Sequence, residues 1–191
     1  MKRRRIFIAV NLPEYVKEKL LSWQREWAEL PVRWTKENSL HITLVFIGYV
    51  TDEEMVKICQ TIREVGKRHE PFEIKLERIC LGPPGRAPRM IWAQGEKNLA
   101  LAKLKDDLEN VLLDSARTTY NRKETRAFSP HITLARIRQR EWRSLSFKPD
   151  IEKDISLSFP VESIEVMESR LLRDGAEYIV LESAPLGNVG G

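Results

Sequence analysis

Apolar positions along the chain change period several times, and each change marks an element. Ile6 to Val10 is a short continuous apolar run, as in a buried strand. Beyond Pro13, the residues Val16, Leu20, Trp23 and Trp27 recur at the spacing of a helix with one buried face, so both tryptophans are expected in the core. A strand from His41, ending at Gly48, leads to Thr51 or Asp52, either of which can cap a helix that turns Met55, Cys59, Ile62 and Val65 inward. Phe72, Ile74, Leu76 and Ile79 suggest an extended segment. The turn-forming Gly82-Pro83-Pro84-Gly85 then makes the best linker between two halves.

The same order then recurs. Met90 to Ala93 reads as a strand, a helix from about Lys97 buries Leu101, Leu104, Leu108 and Val111, and another strand starts near His131. The polar stretch Ser115 to Arg126 between them reads as a surface loop that could cover a site. Ile155 to Phe159, Ser163 to Leu171 and Tyr178 to Glu182 alternate as strands, with Asp174-Gly175 turning between the last two and a frayed tail from Gly187. These patterns predict an α+β fold of two pseudo-symmetric lobes, mostly antiparallel sheet with outer helices around a central groove. One domain spans 1–191, with lobes roughly 1–82 and 90–186 that can exchange strands. Parallel crossover units compete, but the hairpin-like C-terminal strands favour antiparallel sheets.

Composition sharpens the class. Hydrophobic residues make up 42% and charged residues 31%, without a long apolar run, which points to a soluble globular protein away from membranes, expected to be monomeric. The basic start Met1 to Arg5 is followed by too short an apolar stretch for a signal peptide, which supports a cytoplasmic location. A net charge of +4 mildly favours anionic partners such as nucleic acid. Cys59 and Cys80 lack metal or redox spacing and are expected buried and reduced. His69, among Lys67, Arg68 and Glu70 at a helix end, is expected on the surface.

The other two of the three histidines open identical tetrapeptides, His41-Ile42-Thr43-Leu44 and His131-Ile132-Thr133-Leu134. On a strand, successive side chains alternate faces, so each histidine shares a face with its threonine while Ile and Leu anchor the other. Two imidazoles on either side of a reacting centre can act as acid and base near neutral pH, and threonine hydroxyls can donate to an anion's oxygens. Phosphate esters suit such a site, a strained cyclic diester most of all. No His-Glu-x-x-His spacing supports a metal centre, and no Gly-x-Ser-x-Gly elbow supports a serine hydrolase.

Together with Arg5 to Val10, Asn38 to Gly48, Pro88 to Ala93, Phe128 to Arg136, and Glu168-Ser169 with Tyr178, the motifs resemble the 2H phosphoesterase superfamily, and within it the LigT-like RNA 2',3'-cyclic phosphodiesterases, formerly called 2'-5' RNA ligases. The resemblance implies a bilobal fold with both motifs in one groove. It implies metal- and cofactor-independent hydrolysis of RNA 2',3'-cyclic phosphate ends, or of cyclic nucleotides, to 2'-phosphomonoesters. It further implies His41 as proton donor, His131 as proton acceptor, and Thr43 and Thr133 as phosphate-binding groups, although the symmetry of the motifs by itself permits the reverse roles. Relatives often carry lysine where Val45 stands, a position that regular alternation would put on the active face. Arg136 and Phe128 are candidate substrate contacts, but alternation turns Arg136 away from His131, and Phe128 also suits a core position. The competing functions are 2'-5' RNA ligation and non-catalytic RNA binding.

Overall fold

A computed structural model of the chain describes residues 3–114, 128–172 and 175–187. Among these, one antiparallel sheet of nine strands carries four helices. The strands are β1 (Arg4–Asn11), β2 (Val32–Trp34), β3 (His41–Val50), β4 (Phe72–Gly82), β5 (Met90–Gly95), β6 (His131–Ile137), β7 (Lys153–Val161), β8 (Ser163–Leu172) and β9 (Gly175–Pro185). The helices are α1 (Glu14–Glu26), α2 (Asp52–Gly66), α3 (Leu99–Asp114) and α4 (Gln139–Ser144).

The strand order is β7-β4-β5-β6-β3-β1-β8-β9, with β2 pairing the far end of β6. The two motif strands, β3 and β6, are therefore central neighbours. Outward from them, β1 matches β5, β8 matches β4 and β9 matches β7, which gives the sheet its approximate two-fold symmetry. The segment 72–82 thus sits beside β5 and β7 in the half that carries the second motif, whereas β8 and β9 complete the half built on β1 and β3. Gly82 to Gly85 closes the β4–β5 hairpin and is not a linker between halves.

Local chemistry explains the helices. Thr51 caps α2 through a capping box: its hydroxyl accepts from the Glu54 amide at 3.2 Å, and Glu54 accepts from the Thr51 amide at 2.6 Å. Ile58, Cys59, Ile62 and Val65 bury the inner face of α2, and Leu101, Leu104, Leu108 and Leu112 that of α3. Both join one core with Ile42, Leu44, Ile132 and Leu134 from the motif strands, so the apolar half of each motif anchors it as its alternation requires. Val16, Leu20 and Trp23 of α1 lie in the same core, with Trp27 packed against its edge.

Several expectations change. His69 is not a free surface residue: its Nε2 lies 3.0 Å from Asp107 and ties the end of α2 to α3. β3 continues past Gly48, which has φ of 102°, and pairs as far as Val50 with Arg4. At the last hairpin the ladder closes with Leu172 opposite Gly175, leaving 173 and 174 between the strands and outside the described residues. The expected loop 115–126 and the tail beyond Gly187 also lie outside them. No helix among the described residues is long and apolar enough to cross a membrane.

Candidate active site

Ile42 pairs with Ile132 across the β3–β6 seam. In an antiparallel ladder this rung sets His41 opposite Thr133 and Thr43 opposite His131, so the two motifs face each other about a local two-fold axis. His41, Thr43, His131, Thr133 and Arg136 line one cavity of about 110 Å³, joined by Thr35, Ser39 and Tyr178.

Each imidazole is oriented in the same way. Nδ1 of His41 donates to the Ser39 carbonyl at 2.8 Å, and Nδ1 of His131 to the Ser129 carbonyl at 3.0 Å. A carbonyl only accepts, so in each ring Nδ1 carries the proton and Nε2 is the unprotonated nitrogen. At His41 that nitrogen accepts the Thr43 hydroxyl at 3.1 Å.

The aromatic surroundings break the symmetry. His41 is tilted against Phe7 at 5.0 Å and meets the edge of Tyr178 at 4.9 Å. His131 lies flat on Trp92, with ring centroids 4.0 Å apart and planes 29° from parallel. Burial pushes the His41 pKa down to about 4, opposed by the Ser39 hydrogen bond and reinforced by His131. A wider network supports His131. Gln94, its cross-strand partner, donates to the Ser129 hydroxyl at 3.0 Å and accepts from Arg78.

A bulge in each motif strand redirects the next side chains. The β1–β3 register shifts between Ile8 and Ala9, and the β5–β6 register shifts between Ile91 and Trp92. Leu44 and Val45, and likewise Leu134 and Ala135, are consequently buried in succession. Val45, 2% exposed, points into the core, and Phe46, 48% exposed, takes the groove position. Arg136 is turned into the groove by the same device, contrary to regular alternation. The second bulge is held from the end of β2 and from α1: the Leu134 carbonyl accepts from the Thr35 backbone amide at 2.8 Å and from the buried Gln24 side-chain amide at 3.2 Å.

The cavity widens beside His41 into a space of about 500 Å³ that includes Arg5, Phe7, Arg33, Phe46, Arg136 and Tyr178. Arg5 stacks on Phe46 at 4.8 Å. Neither this space nor the motif cavity is lined by a carboxylate among the described residues, so the groove carries positive potential suited to an anion. Phe128 lies elsewhere, packed against the core with Lys105 5.5 Å from its ring, and lines neither cavity. Sequence reasoning missed Arg5, Arg33 and Phe46. A signal for Phe46 was present, because Phe46 and Arg136 each stand five residues after a motif histidine.

A family model of LigT-like phosphoesterases matches residues 10–92, which include the first motif. An RNA 2',3'-cyclic phosphodiesterase of Thermus thermophilus is 30% identical over 191 residues, covering 95% of this chain and 90% of that protein. One from Methanocaldococcus jannaschii is 26% identical and covers 93% and 98%. Another, from Geobacillus stearothermophilus, is 30% identical over 86% of this chain, which spans 51% of that protein's length. A crystal structure of a Thermus thermophilus protein superposes with a TM-score of 0.83 at 26% identity, covering 96% of this chain and 99% of that one. E. coli LigT complexed with 3'-AMP has the same fold, with a TM-score of 0.75 at 21% identity over 97% and 99%. The chain belongs to the LigT-like phosphoesterases of the 2H class.

Proposed function

We propose that this protein is a hydrolase that opens RNA 2',3'-cyclic phosphate ends to 2'-phosphomonoesters without a metal or other cofactor. The observation that carries this reading is the shared cavity: two imidazoles each protonated at Nδ1, two threonine hydroxyls and Arg136 around a space of about 110 Å³. His131 takes a proton from water as the water oxygen bonds to phosphorus. The bond from phosphorus to O3' breaks, and His41 delivers a proton to that oxygen. Thr43 and Thr133 donate to the non-bridging oxygens where charge accumulates, and Arg136 neutralises it.

This assignment makes a demand on His41. His41 is neutral at pH 7, and its Nε2 accepts from Thr43. A donor must be protonated there, so the substrate's negative charge has to raise its pKa and draw the Thr43 hydroxyl away to phosphate. The anionic ligand thereby prepares its own acid.

The test is turnover of an oligonucleotide ending in a 2',3'-cyclic phosphate, with chelator present, alongside ligation of the same ends. Hydrolysis that survives chelation and outpaces ligation supports the proposal. Loss of activity on chelation, or ligation as the faster reaction, contradicts it, and salt-sensitive binding without turnover makes the protein an RNA-binding adaptor.

A further inference from the structure

Arg33 stands directly opposite Arg136 in the β2–β6 ladder. Opposed residues of an antiparallel pair project to the same face, so two guanidinium-bearing side chains are placed together where like charges destabilise the sheet. Three other arginines of the sheet and its helices are paired with carboxylates: Arg4 with Asp52 and Glu168, Arg63 with Glu182, Arg170 with Glu168. Arg33 and Arg136 have no carboxylate partner among the described residues. Both line the larger groove space and a neighbouring cavity of about 130 Å³ whose rim includes Lys36. Of the two, only Arg136 also lines the two-motif cavity, so the cationic pair begins beside the reacting phosphate and extends one strand outward.

We infer that Arg33 and Arg136, with Lys36 at the rim, form a second phosphate subsite, which takes the 5'-phosphate of the nucleotide whose cyclic phosphate occupies the two-motif cavity. The inference rests on the phosphodiesterase reading. A planar guanidinium pair presents forked donors matched to phosphate oxygens, and an anion between the two arginines relieves their repulsion. An RNA end always carries this phosphate as its last internucleotide diester, whereas a nucleoside cyclic phosphate lacks it. The subsite therefore selects chain ends over free cyclic nucleosides.

Two measurements test this separately from catalysis. Calorimetry compares adenosine 2'-phosphate with adenosine 2',5'-bisphosphate, and kinetics compares adenosine 2',3'-cyclic phosphate with its 5'-phosphorylated form. The wild type is expected to favour the 5'-phosphorylated member of each pair about tenfold or more, in Kd and in KM. Arg33→Gln collapses both ratios towards unity, and Arg33→Lys retains part of them. Equal affinities in the wild type, or ratios unchanged by Arg33→Gln, overturn the subsite. If neither these cyclic phosphates nor a cyclic-phosphate-terminated oligonucleotide is turned over, the hydrolase reading fails and the calorimetric ratio still decides the subsite.

Discussion

Ile42 faces Ile132 at the rung where β3 and β6 meet, and that contact fixes how the two catalytic candidates relate. Both isoleucines are fully buried, so the seam is anchored in the core while the flanking histidines and threonines face the groove. The two-fold relation of the site comes from this one register.

Removing a threonine hydroxyl without changing its shape should remove transition-state stabilisation and little else. Thr43→Val and Thr133→Val are each expected to lower kcat by about ten- to a hundredfold, below the loss seen for a dedicated oxyanion donor. Steady-state kinetics beside thermal melts checks this; a melting loss that accounts for the rate loss contradicts it.

His41 gives a pH signature. Its folded pKa of about 4 lies below the ordinary 6.5, so the unfolded chain takes up the proton first as pH falls. Stability from this residue is fully present above pH 6.5 and declines towards pH 4, by about 3 kcal/mol in all. Denaturant titrations across that window should show a shallower decline for His41→Asn. NMR titration should also find the His41 pKa raised when inorganic phosphate binds. A value that stays near 4 in the complex removes His41 as proton donor.

The bulges predict opposite outcomes for two neighbouring positions. Val45→Lys puts an ammonium into the core and should cost about 3 kcal/mol or more, with no gain in phosphate affinity. Arg136→Ala should leave stability nearly unchanged and lower kcat/KM about ten- to a hundredfold, through kcat as well as KM. Melting curves and steady-state kinetics on both variants check the pair.

Trp92 positions His131, and Gly82 makes room for Trp92: a Cβ at Gly82 would lie 2.4 Å from the indole. Gly82→Ala is therefore expected to shift the ring beneath His131 and lower kcat more than it raises KM. Trp92→Phe in the Gly82→Ala background relieves the crowding and should recover part of kcat. Absence of any recovery would assign the loss to general disruption of the hairpin.

Much of the site was legible because the same four residues occur twice in a chain with three histidines. Strand alternation then correctly paired each histidine with its threonine. It failed five residues on, where consecutive apolar pairs, Leu44-Val45 and Leu134-Ala135, mark bulges that invert Phe46 and Arg136. β2 escaped notice because three residues after Pro31 carry no period, although Arg33 depends on it. The six-residue α4 was missed because it buries only Trp142. The partner of β4 was equally hidden, since a Gly-Pro-Pro-Gly turn can join either two halves or two adjacent strands.

The most direct measurement is phosphorus NMR of an oligonucleotide carrying a 2',3'-cyclic phosphate, incubated with the wild type, His41→Ala or His131→Ala. The wild type is expected to give the 2'-phosphomonoester alone, with kcat lower by about a hundredfold or more in each variant. A 3'-phosphomonoester product, or undiminished turnover in either histidine variant, contradicts it.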